Sequence, residues 1–277
     1  MAKKRDYSTM SASAPSPYIG MFEQFRTELD EHYDRRERII KASRDITAAS
    51  KKIIFTLQRI RQLAQPLSPH IVKGNQQYYD AISTQFAAVS KDLQGLNAHR
   101  YARQISGGCQ EYIEAATFQH YLTTANLLPY SDAAAQMRLL DATGVGVELS
   151  VEDYILGVYD MTGELMKFAI TAMATSGTLP TPSTSSDAPQ KVEADADVAS
   201  DKRNVLTDLR ELRSALEALD PGLGPFAKEA EKKMEVMRSS VEKVERALYG
   251  LTVRGAERPK GWMPDVMDGG RGLEVEG

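Results

Sequence analysis

From Phe22 to Ile60 the chain contains neither glycine nor proline, and isoleucine returns at Ile39, Ile46, Ile53 and Ile60 with Ile40, Ile54 and Leu57 beside them. Nothing in that stretch breaks a helix, and the apolar positions stay on one face, so the spacing predicts a single long amphipathic helix. The seven-residue recurrence suits packing along a near-parallel partner helix.

The same helical period continues downstream. Pro66 and Pro69 interrupt it, and a second helix is predicted from Gln76 to Leu93, with Tyr79, Ile82, Phe86 and Val89 on one side. A third should start near Asn97 and reach Leu128 ahead of Pro129, weakened locally by Gly107 and Gly108. Gly144 and Gly146 mark a loop. Ser150-Val151-Glu152-Asp153 then reads as a capping box with Ser150 as N-cap, opening a fourth helix to about Thr175. Val205, Leu209, Leu212, Leu216 and Leu219 outline another that ends before Pro221-Gly222, and a last helix spans Pro225 to Leu251. No alternating strand pattern competes. The expected fold class is all-α, an antiparallel helical bundle of about six to seven helices with a long first helix.

Within the 277 residues, three segments fall outside that bundle. Residues 1–17, rich in Ser, Ala, Pro and Lys, read as a disordered N-terminal arm, in which Lys3-Lys4-Arg5 is weak as a nuclear-import signal and suits a solvated tail. Residues 176–201 carry Pro180, Pro182 and Pro189 among Ser, Thr, Ala and Asp, and read as a disordered insert in a single helical domain over 18–254. Residues 255–277 read as a flexible C-terminal tail.

Composition closes off several classes of function. The longest apolar runs are too short to cross a bilayer and no signal-peptide core follows Met1, so no membrane partner is expected, and the expected location is inside the cell, in the cytoplasm and nucleus. The lone Cys109 excludes an intramolecular disulfide and a cysteine zinc site, and reads as a small core residue. A net charge of −4 argues against a broad basic coat for duplex binding. His32, His70, His99 and His120 lack zinc-ligand spacing, and there is no Gly-x-Ser-x-Gly elbow, phosphate-cradling glycine loop or Glu-x-x-His pair.

The acids are patterned differently. Glu111 with Glu114, and Asp160 with Glu164, are three or four residues apart in helical segments, so each pair projects from one side. If the two helices face each other, four carboxylates converge, and their repulsion calls for a countercharge such as a hard divalent cation. Periodicity alone reads the Asp160 stripe, which also holds Asp153 and Lys167, as a solvated face. On the third helix, Phe118 and Tyr121 share the glutamate face, a mixture untypical of plain exposure. His99, Arg100, Tyr101 and Arg103 lie about two to three turns before Glu111 on the same predicted helix. Arg35, Arg36, Arg38, Lys41 and Arg44, interleaved with Asp34 and Glu37, read as intrahelical pairs.

Several of these strings carry a resemblance. Phe25-Arg26-Thr27-Glu28-Leu29-Asp30 and Glu37 through Thr47 resemble the opening helix of the translin-associated factor X family. Gln110-Glu111-Tyr112-Ile113-Glu114-Ala115 through His120, Asp153-Tyr154-Ile155-Leu156-Gly157-Val158 through Met166, and Val253-Arg254-Gly255 match it as well. The match covers nearly all predicted helices and leaves out the arm, the insert and the extreme C-terminus. It implies an all-α bundle that assembles with translin into a hollow hetero-oligomer, and a magnesium-dependent endoribonuclease site for single-stranded or short RNA. Its catalytic, metal-binding acids fall on Glu111, Glu114, Asp160 and Glu164, with Glu164 either a further ligand of Mg2+ or the group that orients water. RNA contacts are expected at His99, Arg100 and Arg103. The alternative is a non-catalytic helical partner of translin that assembles the complex and binds nucleic acid.

Overall fold

The computed structural model describes residues 16, 18–141, 146–182 and 203–254. Among them are seven α-helices and no strand: α1 Ile19–Leu57, α2 Pro69–Val89, α3 Leu96–Thr124, α4 Tyr130–Leu139, α5 Val151–Ser176, α6 Val205–Glu217 and α7 Pro225–Arg254. A short 3-10 turn, Ser90–Leu93, follows α2. Apart from Ser16, the predicted N-terminal arm lies outside the described residues, as do the C-terminal tail and the insert beyond residue 182.

In α1, Ile39, Ile46 and Ile53 are fully buried, which is the seam the isoleucine repeat predicts; Ile60 falls beyond the helix end and is half-buried. The second helix begins seven residues earlier than expected, at Pro69 rather than Gln76. Ser68 caps it by accepting a hydrogen bond from the Ile71 amide, and Pro69 sits where a missing N–H costs nothing. Proline here starts a helix.

Gly107 and Gly108 do not interrupt α3. A Cβ on Gly108 would stand 3.0 Å from the Ser43 carbonyl oxygen, so the glycine lets α1 and α3 approach backbone to backbone. The helix stops short of the predicted Leu128 because Ala125 adopts φ 55, a left-handed cap in which its N–H donates to the Tyr121 carbonyl. The ten-residue α4 that follows was not predicted, since its buried Ala133, Ala134 and Met137 give too small an apolar signal. Only half of the predicted capping box forms at α5. Ser150 accepts from the Asp153 amide at 3.0 Å, but the Asp153 carboxylate accepts from Ser106 and Gln110 on α3 instead of turning back. The reciprocal box is at α6, between Asn204 and Thr207.

Long helices α1, α3, α5 and α7 pack side by side, with α2 against α1 and α6 against α7. His32 with Tyr101, then Ser43 with Gly108, align α1 and α3 in one direction. The return helices run the other way, as the pairs Lys52 with Tyr78 and Arg35 with Asp92 show for α2, and Arg210 with Glu245 and Arg238 with Glu217 for α6. Arg35 and Arg38 therefore pair with Asp92 across helices, correcting the intrahelical expectation, while Arg36 does pair with its neighbour Glu37. The first half of α1 is uncovered: Tyr18, Phe22, Phe25, Leu29 and Tyr33 recur at helical spacing and are all at least half exposed. No helix among the described residues is long and apolar enough to cross a membrane.

An acidic cavity among four helices

The row α1, α3, α5, α7 encloses a cavity of about 920 Å³. Its walls carry Lys51 from α1 and Gln58 from the C-cap of that helix, Glu111 and Glu114 from α3, Asp160, Glu164 and Lys167 from α5, and Lys233 and Lys243 from α7. All four predicted acids line it. The placement depends on Gly157, where a Cβ would come within 2.8 Å of both the Gln110 carbonyl oxygen and Ile113. That contact holds α3 and α5 at backbone distance. Asp160 and Glu164, one and two turns further on, thereby share a cavity with Glu111 and Glu114.

The solvated-face reading of the Asp160 stripe is overturned: Glu164 is buried and Asp160 half-buried, because α1 and α7 close over a face that α5 alone would expose. Phe118 and Tyr121 are buried core residues that do not line the cavity, and the Tyr121 hydroxyl donates to Asp208. The aromatic walls are Phe55 and Tyr159.

Three of the four acids have partners. Lys51 reaches Glu111 at 3.2 Å. Glu164 takes Lys167 and the Gln58 amide, each at 2.7 Å. Asp160 holds Lys233, whose ammonium also donates to the Gln110 side-chain oxygen at 3.1 Å and the Leu156 carbonyl at 3.3 Å. The Glu114 carboxylate has no hydrogen bond or ion pair among the described residues. Burial first, then the charges of Asp160, Glu111 and Glu164, push its carboxyl up to about 8.

The donor chemistry fits magnesium, which takes carboxylate oxygens, and an unpaired Glu114 raised by three neighbouring acids is the electrostatic imbalance a cation relieves. As the side chains stand, no group of three or more His, Cys, Asp or Glu among the described residues is arranged to hold a metal ion. The acids are turned toward lysines, so these pairs must open for carboxylates to gather round an ion.

None of His99, Arg100 and Arg103 lines this cavity. At 1.5 Å per residue they lie about 12 to 18 Å back along α3 from Glu111. His99 borders a separate cavity of about 310 Å³ with Cys109, Ser150 and Asp153, and the Arg100 guanidinium stands 3.2 Å from the His32 Nδ1. Cys109 is buried, and burial pushes its thiol up, as suits a core residue. Lys51, Gln58, Lys233 and Gly157 were not singled out from the sequence. A glycine amid the apolar residues of a strong helix is the one signal that could have found Gly157.

Comparison with known proteins adds to this picture. The Translin family model matches residues 34–255. Translin-associated protein X of Rattus norvegicus is 32% identical over 273 residues, covering 92% of this chain and 85% of the relative. Its homologue in Schizosaccharomyces pombe is 28% identical over 86% of this chain and 89% of its own, and Homo sapiens translin is 21% identical over 85% and 92%. Among solved structures, AfC3PO in complex with duplex RNA superposes with a TM-score of 0.56 at 16% identity, covering 86% of this chain and all of that one, 100%. Apo-NeC3PO gives 0.52 at 13% identity, covering 84% and 99%. Over residues 34–255, from within α1 to the end of α7, this chain belongs to the translin family.

Proposed function

We propose that this chain is the magnesium-dependent endoribonuclease subunit of a translin-containing hetero-oligomer, acting on single-stranded or short RNA. One observation carries the reading: Glu111, Glu114, Asp160 and Glu164 come from two helices into a single cavity, with Glu114 left unpaired. Glu111, Glu114 and Asp160 would hold the ion, and Glu164 would act as a further ligand or orient the attacking water. When bound, magnesium supplies an activated water and offsets charge on the phosphoryl oxygens. The protein's part is to bring its acids to the walls of one cavity. Gln58 and Lys167 each donate to one oxygen of the Glu164 carboxylate, and the Gly157 contact fixes the spacing of α3 and α5.

Assembly with translin draws support from the similarity to translin-associated protein X and from the uncovered apolar stripe on α1, which a partner subunit would bury. RNA as the ligand draws support from the duplex-RNA complex of the structurally similar AfC3PO. The lysine pairs favour a second reading, a non-catalytic subunit whose acids are neutralised internally and whose role is assembly and nucleic-acid binding. Single-turnover cleavage of short single-stranded RNA, by complex co-purified with translin, separates the two. Magnesium-dependent cleavage that disappears in Glu114→Gln supports the nuclease. Full cleavage by an assembled Glu114→Gln complex would leave this chain as the scaffold.

A further inference from the structure

We propose that Lys233 is a cation-linked phosphate-binding residue: Asp160 holds it while no divalent cation is present, and a cation that takes Asp160 releases it onto the RNA backbone. The inference rests on the metal-site reading above. Lys233 differs from the other lysines of the cavity. Its ammonium is met by three oxygens, from Asp160, Gln110 and Leu156, which uses all three donors of an ammonium. Its side chain is 23% exposed, whereas Lys51 and Lys167, at 63% and 55%, each pair with one acid from the solvent side. A half-buried ammonium in an oxygen cage occupies the Asp160 corner much as an inorganic cation would.

A divalent cation on Asp160 draws off the charge that holds this ammonium and repels it, so the two compete for one carboxylate. Once the cation carries the charge balance, the ammonium loses its charged partner, yet its tether on α7 keeps it at the cavity wall. The nearest strong acceptors it could then meet are phosphate oxygens of a strand drawn to the bound cation.

The test uses the full chain co-purified with translin and two measurements besides cleavage. In Mn2+ binding followed by the paramagnetic signal of the free ion, Lys233→Met should bind on the order of tenfold more tightly than wild type, since no tethered charge competes. Lys233→Arg should stay near wild type. Lys243→Met removes a cavity lysine that pairs with no acid among the described residues, and should tighten binding far less. In binding of short single-stranded RNA, wild type and Lys233→Met should match in chelator. With Ca2+, wild type should bind several-fold more tightly, with a salt slope steeper by about one. Glu114-dependent Mn2+ binding that Lys233→Met does not tighten, or that Lys243→Met tightens equally, overturns this inference and leaves the metal site standing. Equal RNA binding by wild type and Lys233→Met in Ca2+ overturns the release onto phosphate. If neither protein binds Mn2+, the metal-site reading itself fails and this inference falls with it.

Discussion

Replacing Glu114 by glutamine should stabilise the protein by an amount that grows with pH. In the unfolded chain the carboxyl releases its proton near 4.5, whereas in the fold it keeps it up to about 8. Below the lower value both states are protonated and the residue costs nothing. As pH rises between the two, the unfolded chain has given up a proton that the fold still holds, so stability falls; above the folded value the loss is complete. Each unit of displacement is about 1.4 kcal/mol, which makes the cost about 3 kcal/mol at pH 7 and about 5 kcal/mol once the folded carboxyl has ionised. Glutamine keeps the size and carries no charge. The difference between variant and wild type therefore reports this group together with the acids coupled to it, and cancels the titrations elsewhere in the chain.

Thermal unfolding of the translin complex in chelator, from pH 4.5 to 8, measures it. The variant should unfold with wild type at the acid end and about 6 to 12 °C later at pH 7, on the scale of a chain this long. Added magnesium should raise wild type and leave the variant where it was, closing part of the gap. A gap that stays flat across the pH range would mean that Glu114 is not held among the other acids. A gap that magnesium does not narrow would mean that the cavity takes no divalent cation.

The other expected outcomes concern geometry, coupling, binding and assembly. Gly157→Ala puts a Cβ within 2.8 Å of Gln110 and Ile113, so it should cost about 1 to 3 kcal/mol in denaturant unfolding and reduce cleavage by spreading α3 from α5. Asp160→Asn should abolish cleavage, and combining it with Glu114→Gln should lose little more in single-turnover rate than either change alone, because both groups serve one site. Arg103→Ala should weaken RNA binding and flatten its salt dependence with less effect on the cleavage step; an unchanged binding isotherm would remove Arg103 from the interface. Phe22→Ser with Leu29→Ser on the uncovered α1 stripe should weaken association with translin in sizing experiments, while circular dichroism stays unchanged.

Helices whose cores repeat at a helical period could be found by reading along the chain, as Ile39, Ile46 and Ile53 illustrate. Boundaries were harder, because they turn on single conformations. Pro69 opens α2 only because Ser68 is extended and caps it, and α3 ends at Ala125 in a conformation that alanine rarely takes. Asp153 looked like a capping partner by spacing, but two donors on α3 offered more than one backbone amide on its own helix. Local rules described the choices open to these residues, and tertiary partners chose among them.

The acidic site shows the same division more sharply. Spacing alone brings Glu111 to Glu114 and Asp160 to Glu164, since each pair lies within one turn. Bringing one pair to the other requires α3 and α5 to touch at Gly157 and requires α1 and α7 to cover the polar stripe of α5, neither of which is a property of the helix that carries the acids. Charge pattern therefore misread Glu164 as solvated, although it is buried. It placed Lys167 beside Glu164 but gave no hint of the other two countercharges, because Lys51 and Lys233 are ordinary surface lysines in their own helices and become cavity residues only when those helices pack. Six of the nine charged or amide side chains named on the cavity wall thus form a set of three acid–lysine pairs around one unpaired glutamate. That asymmetry sets the direction of the chemistry: a cation entering the cavity meets one carboxyl already free at Glu114 and must compete for the rest, so its affinity is governed by lysines as much as by acids.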